Sequence, residues 1–129
     1  MSGRKNAILP FQLFTDEAID DFSDLKSVPI NIQFMDNVGF QVDWTGDPVG
    51  VISVQFSLNY VPDQPHQNKP ANAGTWHDLT FDPALAQPAG AAGGYGINCN
   101  QVPYPWLRLS YVGSGGSGVF NAWTTAKMI

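Results

Sequence analysis

The sequence predicts an all-β fold, an antiparallel β-sandwich or jelly roll of about seven to eight strands with an extended N-terminal arm. Short segments alternate apolar and polar residues, turn-forming residues separate them at intervals of roughly 8 to 12 residues, and no long amphipathic helical pattern is present. The composition agrees, because the 129 residues include 13 glycines and 10 prolines while only 13% are charged. A chain of this length suits one domain, which we expect over residues 15–129, with residues 1–14 as an arm or first strand.

The N-terminal segment has two interpretations. It joins two basic residues to an apolar run, and such a segment can bind a neighbouring subunit by strand addition. The subunit contacts would then be Arg4, Lys5, Ile8, Leu9 and Phe11. Alternatively, the FQLF segment pairs as a strand within its own sandwich.

The acidic stretch TDEAIDDFSDL follows and holds five of the eleven acidic residues. Thr15 is placed to cap a short helical turn, which would bring Asp16 and Glu17 near its positive end. A solvated acidic loop and a carboxylate cation site are the alternatives, although the spacing does not match a calcium loop.

Period-two alternation predicts the first strands of the sandwich. In VPINIQF, the residues Ile30, Ile32 and Phe34 share one face, and VGFQVDW resumes the alternation after a turn, so a hairpin is the simplest link between them. VGVISVQFSLNYV is the clearest strand. Its apolar face carries Ile52, Val54, Phe56 and Leu58.

The second half of the chain continues with shorter elements. PDQPHQNKPANAG predicts an exposed loop, TWHDLTF a short strand, and DPALAQPAGAAGGYG a connection that leads into GINCN. The last two strands are PWLRLSYV and GVFNAWTTAKM, and the glycine-serine tip GSGGSG predicts a hairpin between them.

Charge and composition disfavour several partners. The net charge of −5 argues against nucleic acid, because binding to phosphate needs clustered Lys and Arg. The single cysteine, Cys99, cannot form a disulfide within the chain. No apolar run approaches the roughly 18 residues that span a membrane, and MSGRKNAILPF lacks the apolar stretch of a signal peptide. We therefore expect folding in the cytoplasm and no membrane partner.

No constellation in the sequence supports catalysis. His66 and His77 lack the spacing of metal-ligand motifs, and Cys99 at a strand end is interpreted as a small apolar filler. GSGGSG precedes a strand and lacks the Lys-Ser/Thr pair of a phosphate loop. We expect a non-enzymatic protein with no cofactor and no metal.

Tryptophans are the remaining functional candidates, because they can stack on sugar rings or anchor protein interfaces. If Leu107 and Leu109 face the core, Trp106 and Arg108 face outward, and the phase of the last strand turns Trp123 outward as well. The predicted binding residues are Trp76, Trp106, Arg108 and Trp123, the last three in one exposed patch. The alternative is that the tryptophans belong to the core.

The order QFSLNYV, TWHDL, PYPWLRLSY and GSGGSGVFNAWTTAK resembles a pattern in small β-sandwich structural proteins of tailed bacteriophage virions. The resemblance covers roughly residues 38 to 127, and an aspartate usual in that pattern is replaced here by Leu58-Asn59. The same strand order is more loosely similar to discoidin-like jelly rolls.

The phage resemblance implies a virion structural protein, a capsid decoration or accessory subunit that binds capsid or other virion proteins and forms a homo-oligomer. It implies a virion location after assembly in the host cytoplasm. The alternative is a carbohydrate-binding or host-adhesion module that stacks glycans on its exposed tryptophans. Its polar contacts would come from Asp63, Asn68 and Asn72.

Overall fold

The alternation of the sequence is realised as strands in a computed structural model that describes residues 7–62 and 71–128. Within these ranges there are nine strands and no helix, and the strands form two antiparallel sheets packed as a sandwich. The predicted antiparallel sandwich is confirmed. The strands are β1 (Ala7–Ile19), β2 (Asp24–Lys26), β3 (Ile30–Asn31), β4 (Asn37–Gly46), β5 (Val49–Ser57), β6 (His77–Asp78), β7 (Gly93–Asn100), β8 (Trp106–Gly115) and β9 (Gly118–Lys127).

Sheet A has the strand order β1-β9-β4-β7. Sheet B has the order β2-β8-β5-β6, and β3 pairs with β8 on the same side as β2. The two central strands of sheet A are therefore β9 and β4, and β8 is the strand of sheet B with the most partners.

The core lies between the sheets and consists of the inward residue of each alternating pair. The rings of Tyr111 from sheet B and Phe120 from sheet A stack across it with centroids 5.4 Å apart. Gly50 makes room for Tyr111, since a Cβ there would lie 2.6 Å from the tyrosine hydroxyl oxygen. The buried apolar residues are Phe14, Ile19, Ile30, Ile32, Val38, Phe40, Val42, Trp44, Ile52, Val54, Ile97, Cys99, Leu107, Leu109, Tyr111, Phe120, Ala122 and Ala126.

Both predicted hairpins are wrong. The strand β3 pairs with β8 in sheet B whereas β4 lies in sheet A, and β8 and β9 likewise belong to different sheets. In a sandwich, two strands with the same inward phase can either pair or face each other across the core. The glycine-serine tip is a crossing between sheets, held to the preceding β4–β5 turn by hydrogen bonds of 3.0 Å between Asp47 and Ser117.

The predicted inward orientation of Phe34 and Leu58 is also wrong, because β3 and β5 end before the alternating sequence pattern does. Phe34 is 69% exposed and Leu58 is 68% exposed. The strand β3 stops at Asn31, and a turn follows in which the Met35 amide donates to the carbonyl of Ile32. After β5, the backbone amides of Asn59 and Tyr60 donate to Ser57 Oγ, and this local turn leaves Leu58 on the surface.

The predicted helical turn at Thr15–Glu17 is a strand, because β1 runs without interruption from Ala7 to Ile19. The polar residues sit at irregularities in its pairing with β9, and Asp16 has φ of +46°. Asn121 on β9 stabilises this bulge: its Oδ1 accepts hydrogen bonds from the Asp16 amide at 2.8 Å and from Gln12 Nε2 at 2.9 Å.

The FQLF segment pairs with β9 of its own chain, which is the second of the two interpretations of the N-terminal segment. The strand passes through the predicted boundary at residue 14. Ile8 packs against the core, Leu9 is 80% exposed and Phe11 is 38% exposed. Arg4 and Lys5 lie outside the described residues.

Candidate functional site

The four predicted binding residues lie on two opposite faces of the sandwich. Trp106 and Arg108 point outward from β8, and Trp76 precedes β6, so these three belong to sheet B. Trp123 points outward from β9 in sheet A. The prediction of a single patch with Trp106, Arg108 and Trp123 is therefore wrong, because it depended on a hairpin between β8 and β9.

Sheet B carries an aromatic–arginine cluster made of Tyr60, Trp76, Trp106 and Arg108. The guanidinium carbon of Arg108 lies 4.3 Å from the centroid of the Trp76 ring, a cation–π contact. The Tyr60 ring meets Trp106 edge-on at 4.7 Å and meets Trp76 at 5.7 Å. Each member thus contacts another through its side chain, and all four are partly buried.

Polar neighbours fix the orientation of the guanidinium. Arg108 Nε donates to Gln55 Oε1 at 2.9 Å, and Gln55 Nε2 donates in turn to Asp78 Oδ1 at 3.0 Å. Partial burial lowers the pKa of Arg108, and the nearby Asp24 carboxylate acts in the opposite direction. An arginine in this state stays charged at neutral pH, so the cluster presents a positive group against the Trp76 ring.

The loop after β5 positions two of the rings. The Ser57 hydroxyl donates to Asn59 Oδ1 at 2.9 Å, and the same oxygen accepts the amide of Thr75 at 2.8 Å. The indole N–H of Trp76 donates to the carbonyl of Ala73 at 2.9 Å. Asn59 therefore connects the two ends of this loop next to the cluster. It stands at the position where the phage pattern has an aspartate.

Trp123 lies in a cleft on the outer face of sheet A, which we call the sheet A cleft. Its volume is about 550 Å³, and its walls include Gln41 and Asp43 of β4. Gly39, Gly94 and Gly96 also line it. In the described part of the chain, the Trp123 ring makes no contact with another aromatic ring, unlike the rings of the sheet B cluster.

Sequence reasoning missed several members of both surfaces. Tyr60 and Gln55 reach the cluster through a loop contact and a cross-strand pair, and neither relation has a signal in the sequence. Gln41 and Asp43 were on the outward phase of a predicted strand, so alternation places them at the surface. Their proximity to Trp123 depends on the pairing of β4 with β9, which alternation does not give. Of the glycan contacts considered, Asn72 bonds within its loop, whereas Asp63 and Asn68 lie outside the described residues.

Of the titratable groups considered in the sequence, Cys99 lies in the core and His77 lies at the surface. Burial raises the pKa of the Cys99 thiol to about 11, which keeps the thiol protonated at neutral pH. His77 is exposed, with its ring 5.8 Å from that of Phe56, and His66 lies outside the described residues. Over residues 7–62 and 71–128, no group of three or more His, Cys, Asp or Glu side chains is placed to hold a metal ion. In the same ranges, no helix has the length and apolar character to cross a membrane.

Comparisons with known proteins give the fold. No protein-family model and no curated protein sequence matches the chain. Among solved structures, a chain of infectious bursal disease virus, Gx strain, matches with a TM-score of 0.55 and 9% identity. A chain of the VP2 subviral particle of the same virus matches with a TM-score of 0.53 and 11% identity.

Each of these two matches covers 98% of this chain and 33% of the viral chain, so the protein spans about a third of the length of its structural neighbours. A chain of disulfide-linked pili from Bacillus endospore appendages matches at a TM-score of 0.41 and 10% identity, over 98% of this chain and 93% of that one, a level that does not establish a shared fold. The two viral matches establish that nearly the whole chain adopts a β-sandwich fold that also occurs in the chains of infectious bursal disease virus.

Proposed function

We propose that the protein is a non-enzymatic structural component of a virion, a decoration or accessory subunit of a tailed bacteriophage particle that binds neighbouring virion proteins. The main support is the match of 98% of the chain to the fold of chains from a virus and from a VP2 subviral particle. The resemblance of the strand motifs to phage structural proteins supports the narrower assignment. The particle would assemble in the host cytoplasm.

The composition of one surface supports binding to protein. Trp, Tyr and Arg, the residue types that dominate the energetics of protein interfaces, form the cluster on sheet B. Asn31 and Ser57 both pair with Trp106, so the exposed Phe34 and Leu58, which follow these strands, lie at the same end of sheet B. Burial of two large apolar side chains by a partner would contribute several kcal/mol, at about 1.5–3 kcal/mol for each side chain.

The N-terminal strand supports a second contact at that end. Ala7 and Asn37 both pair with Lys127, so β1 begins beside the segment that carries Phe34. Leu9 is 80% exposed there. We propose that Ile8, Leu9 and Phe11 join the contact with a neighbouring subunit, together with the basic residues Arg4 and Lys5.

The particle itself gives the direct test. Mass spectrometry of purified particles of the phage that encodes the chain should detect the protein at a copy number close to that of the major capsid subunit. A low copy number would assign it to a fibre or tail position, and absence from the particles would contradict the proposal.

The contact surface is tested on the isolated protein by sedimentation. The double variant Phe34→Ser, Leu58→Ser should shift a wild-type homo-oligomer to monomer, because it removes exposed apolar area without touching the core. Gln41→Ala on the opposite face is the matched control and should leave the oligomer intact. A wild-type oligomer that persists in the double variant would contradict the assignment of this surface.

A further inference from the structure

The sheet A cleft is built from rows of outward side chains that cross β9, β4 and β7. In the central row, Gln12 of β1, Trp123 of β9, Gln41 of β4 and Gly96 of β7 are direct cross-strand partners. Partners of this kind point to the same face of a sheet and lie about 5 Å apart. The flanking rows are Asn121, Asp43 and Gly94 on one side, and Thr125, Gly39 and Asn98 on the other.

Glycines make the floor of the cleft, and the fold does not require two of them. A Cβ at Gly96 would have Phe40 O as its nearest contact, at 3.8 Å, and one at Gly39 would meet Thr125 Cγ2 at 3.6 Å, both ordinary distances. Neither residue has a positive φ. Because neither packing nor backbone conformation demands glycine here, the effect of these residues is to leave backbone exposed beside the Trp123 ring.

The walls combine one aromatic ring with neutral polar groups. Gln41 Nε2 donates to Asp43 Oδ2 at 2.9 Å, which fixes both side chains beside Trp123. Among the described residues that line the cleft, Asp43 carries the only formal charge. The Asp43 carboxylate disfavours an anionic group beside Trp123, so this part of the cleft favours a neutral ligand with many hydroxyl groups.

The cleft continues along the sheet. A second depression of about 360 Å³ shares Gly39 and Thr125 with the first and is lined by the amide groups of Asn98 and Asn100 and by Lys127. Both volumes fall in the range of about 300–1,000 Å³ that is usual for small-ligand sites. Such an elongated site suits a chain of several linked units rather than a single compact molecule.

We propose that the sheet A cleft binds a neutral oligosaccharide. The apolar C–H face of a pyranose ring stacks on Trp123, the Gln41–Asp43 pair exchanges hydrogen bonds with ring hydroxyls, and the exposed strand at Gly39 and Gly96 lets the sugar approach the sheet. The neighbouring units of the oligosaccharide extend toward Asn98. This site is on the face opposite the aromatic–arginine cluster of sheet B, and it does not depend on the virion role.

Titration calorimetry with the full chain tests the proposal. The probes are the neutral sugars lactose, maltotriose, cellotriose and triacetylchitotriose, with the acidic 3′-sialyllactose for comparison. We expect saturable binding of at least one neutral probe. Absence of binding for all four neutral probes at millimolar concentration, or binding of 3′-sialyllactose alone, would overturn the proposal.

Three variants locate the site. Trp123→Ala removes the stacking surface and should weaken binding by about tenfold or more, which corresponds to about 1.4 kcal/mol. Gly96→Leu fills the cleft from a position with room for a Cβ, and it should abolish binding while the circular dichroism spectrum and the melting temperature stay at wild-type values. Trp106→Ala on sheet B is the matched control and should bind as the wild type does. Binding that survives in Trp123→Ala and Gly96→Leu, or that is lost in Trp106→Ala, would overturn the location.

Discussion

The two outer faces of the sandwich share the same strand alternation but present opposite surfaces. On sheet A, glycines and amide side chains surround Trp123, so the face is recessed and nearly neutral. On sheet B, the positions around Trp106 and Arg108 are filled by rings in mutual contact, so the face is a packed cluster with a positive group. Inward residues hold the two sheets together, and outward residues, which the core does not constrain, determine what each face can bind.

The largest expected difference is in the free energy of unfolding, between alanine substitutions at Gly50 and at Gly96. Gly50 points inward from sheet B, and a Cβ there would overlap the Tyr111 ring and the carbonyl of Val112. We expect Gly50→Ala to lower the free energy of unfolding by about 3 kcal/mol through overpacking. Gly96→Ala on the outward face of sheet A should change it by less than about 0.5 kcal/mol.

Urea denaturation of the two variants measures this difference. Gly93→Ala serves as a further control in sheet A, because a Cβ there would approach the Trp44 ring and should again destabilise. Equal stabilities for Gly50→Ala and Gly96→Ala would contradict the distinction between glycines required by packing and glycines that leave a cleft open.

The second expected effect is a pH dependence of the free energy of unfolding that comes from Cys99 on the inward side of β7. Burial raises the pKa of Cys99 from 9.0 to about 11, so between these values the unfolded chain loses a proton that the folded chain keeps. The free energy of unfolding therefore falls as pH rises from 9 to 11, by at most about 1.4 kcal/mol per pH unit for this one group. Below pH 9 the thiol is protonated in both states and contributes no pH dependence.

Denaturation at several pH values checks this slope. Cys99→Ala should flatten the decline between pH 9 and 11, whereas Tyr95→Phe, whose tyrosine has a pKa raised to about 12 by burial, should act only above about pH 10. Parallel profiles for the wild type and Cys99→Ala over that range would show that the thiol does not titrate as a buried group.

The smallest expected effect is the loss in the free energy of unfolding when one polar side chain is removed from each face. Arg108→Ala removes the contact with Trp76 and the hydrogen bond to Gln55, and we expect a loss of about 1 kcal/mol in the free energy of unfolding. Arg108→Lys should recover part of this loss, since the ammonium keeps the charge but not the planar stacking. Gln41→Ala on sheet A breaks an exposed pair and should cost less.

Equilibrium denaturation measures the loss in the free energy of unfolding for these variants. A loss in Gln41→Ala equal to that in Arg108→Ala would remove the distinction between a packed and an open face.

Alternation in the sequence identified most of the strands and their inward phase, except at Phe34 and Leu58, where the strands end early. Leu107, Leu109, Tyr111 and Phe120 are buried as predicted, because side-chain direction in a strand is a local property. Strand partnership is not local. The same pattern of inward and outward residues fits two strands paired in a hairpin and two strands that face each other across the core. Trp106 and Trp123 were therefore predicted in one patch, whereas the structure places them on two different sheets.

The acidic stretch shows that the local backbone conformation also depends on residues far away in the sequence. Thr15 followed by Asp16 and Glu17 is a plausible helix start, but the backbone there is determined by Asn121, more than 100 residues further along the chain. The sheet A cleft also has no linear signal, because its floor and walls come from β4, β7 and β9 in a register that only the folded sheet defines.

The consecutive strands β8 and β9 lie in different sheets, and this placement determines at what point in synthesis each sheet can be completed. The strand β8 pairs with β2, β3 and β5, while β9 pairs with β1 and β4, so each of these two consecutive strands joins parts of a sheet that have no other direct link. During synthesis, the earlier strands of both sheets therefore emerge from the ribosome before the strands that connect them. A nascent chain that ends before Trp106 holds most of the core residues but completes neither sheet, and native pairing across long sequence separations makes the final step slow.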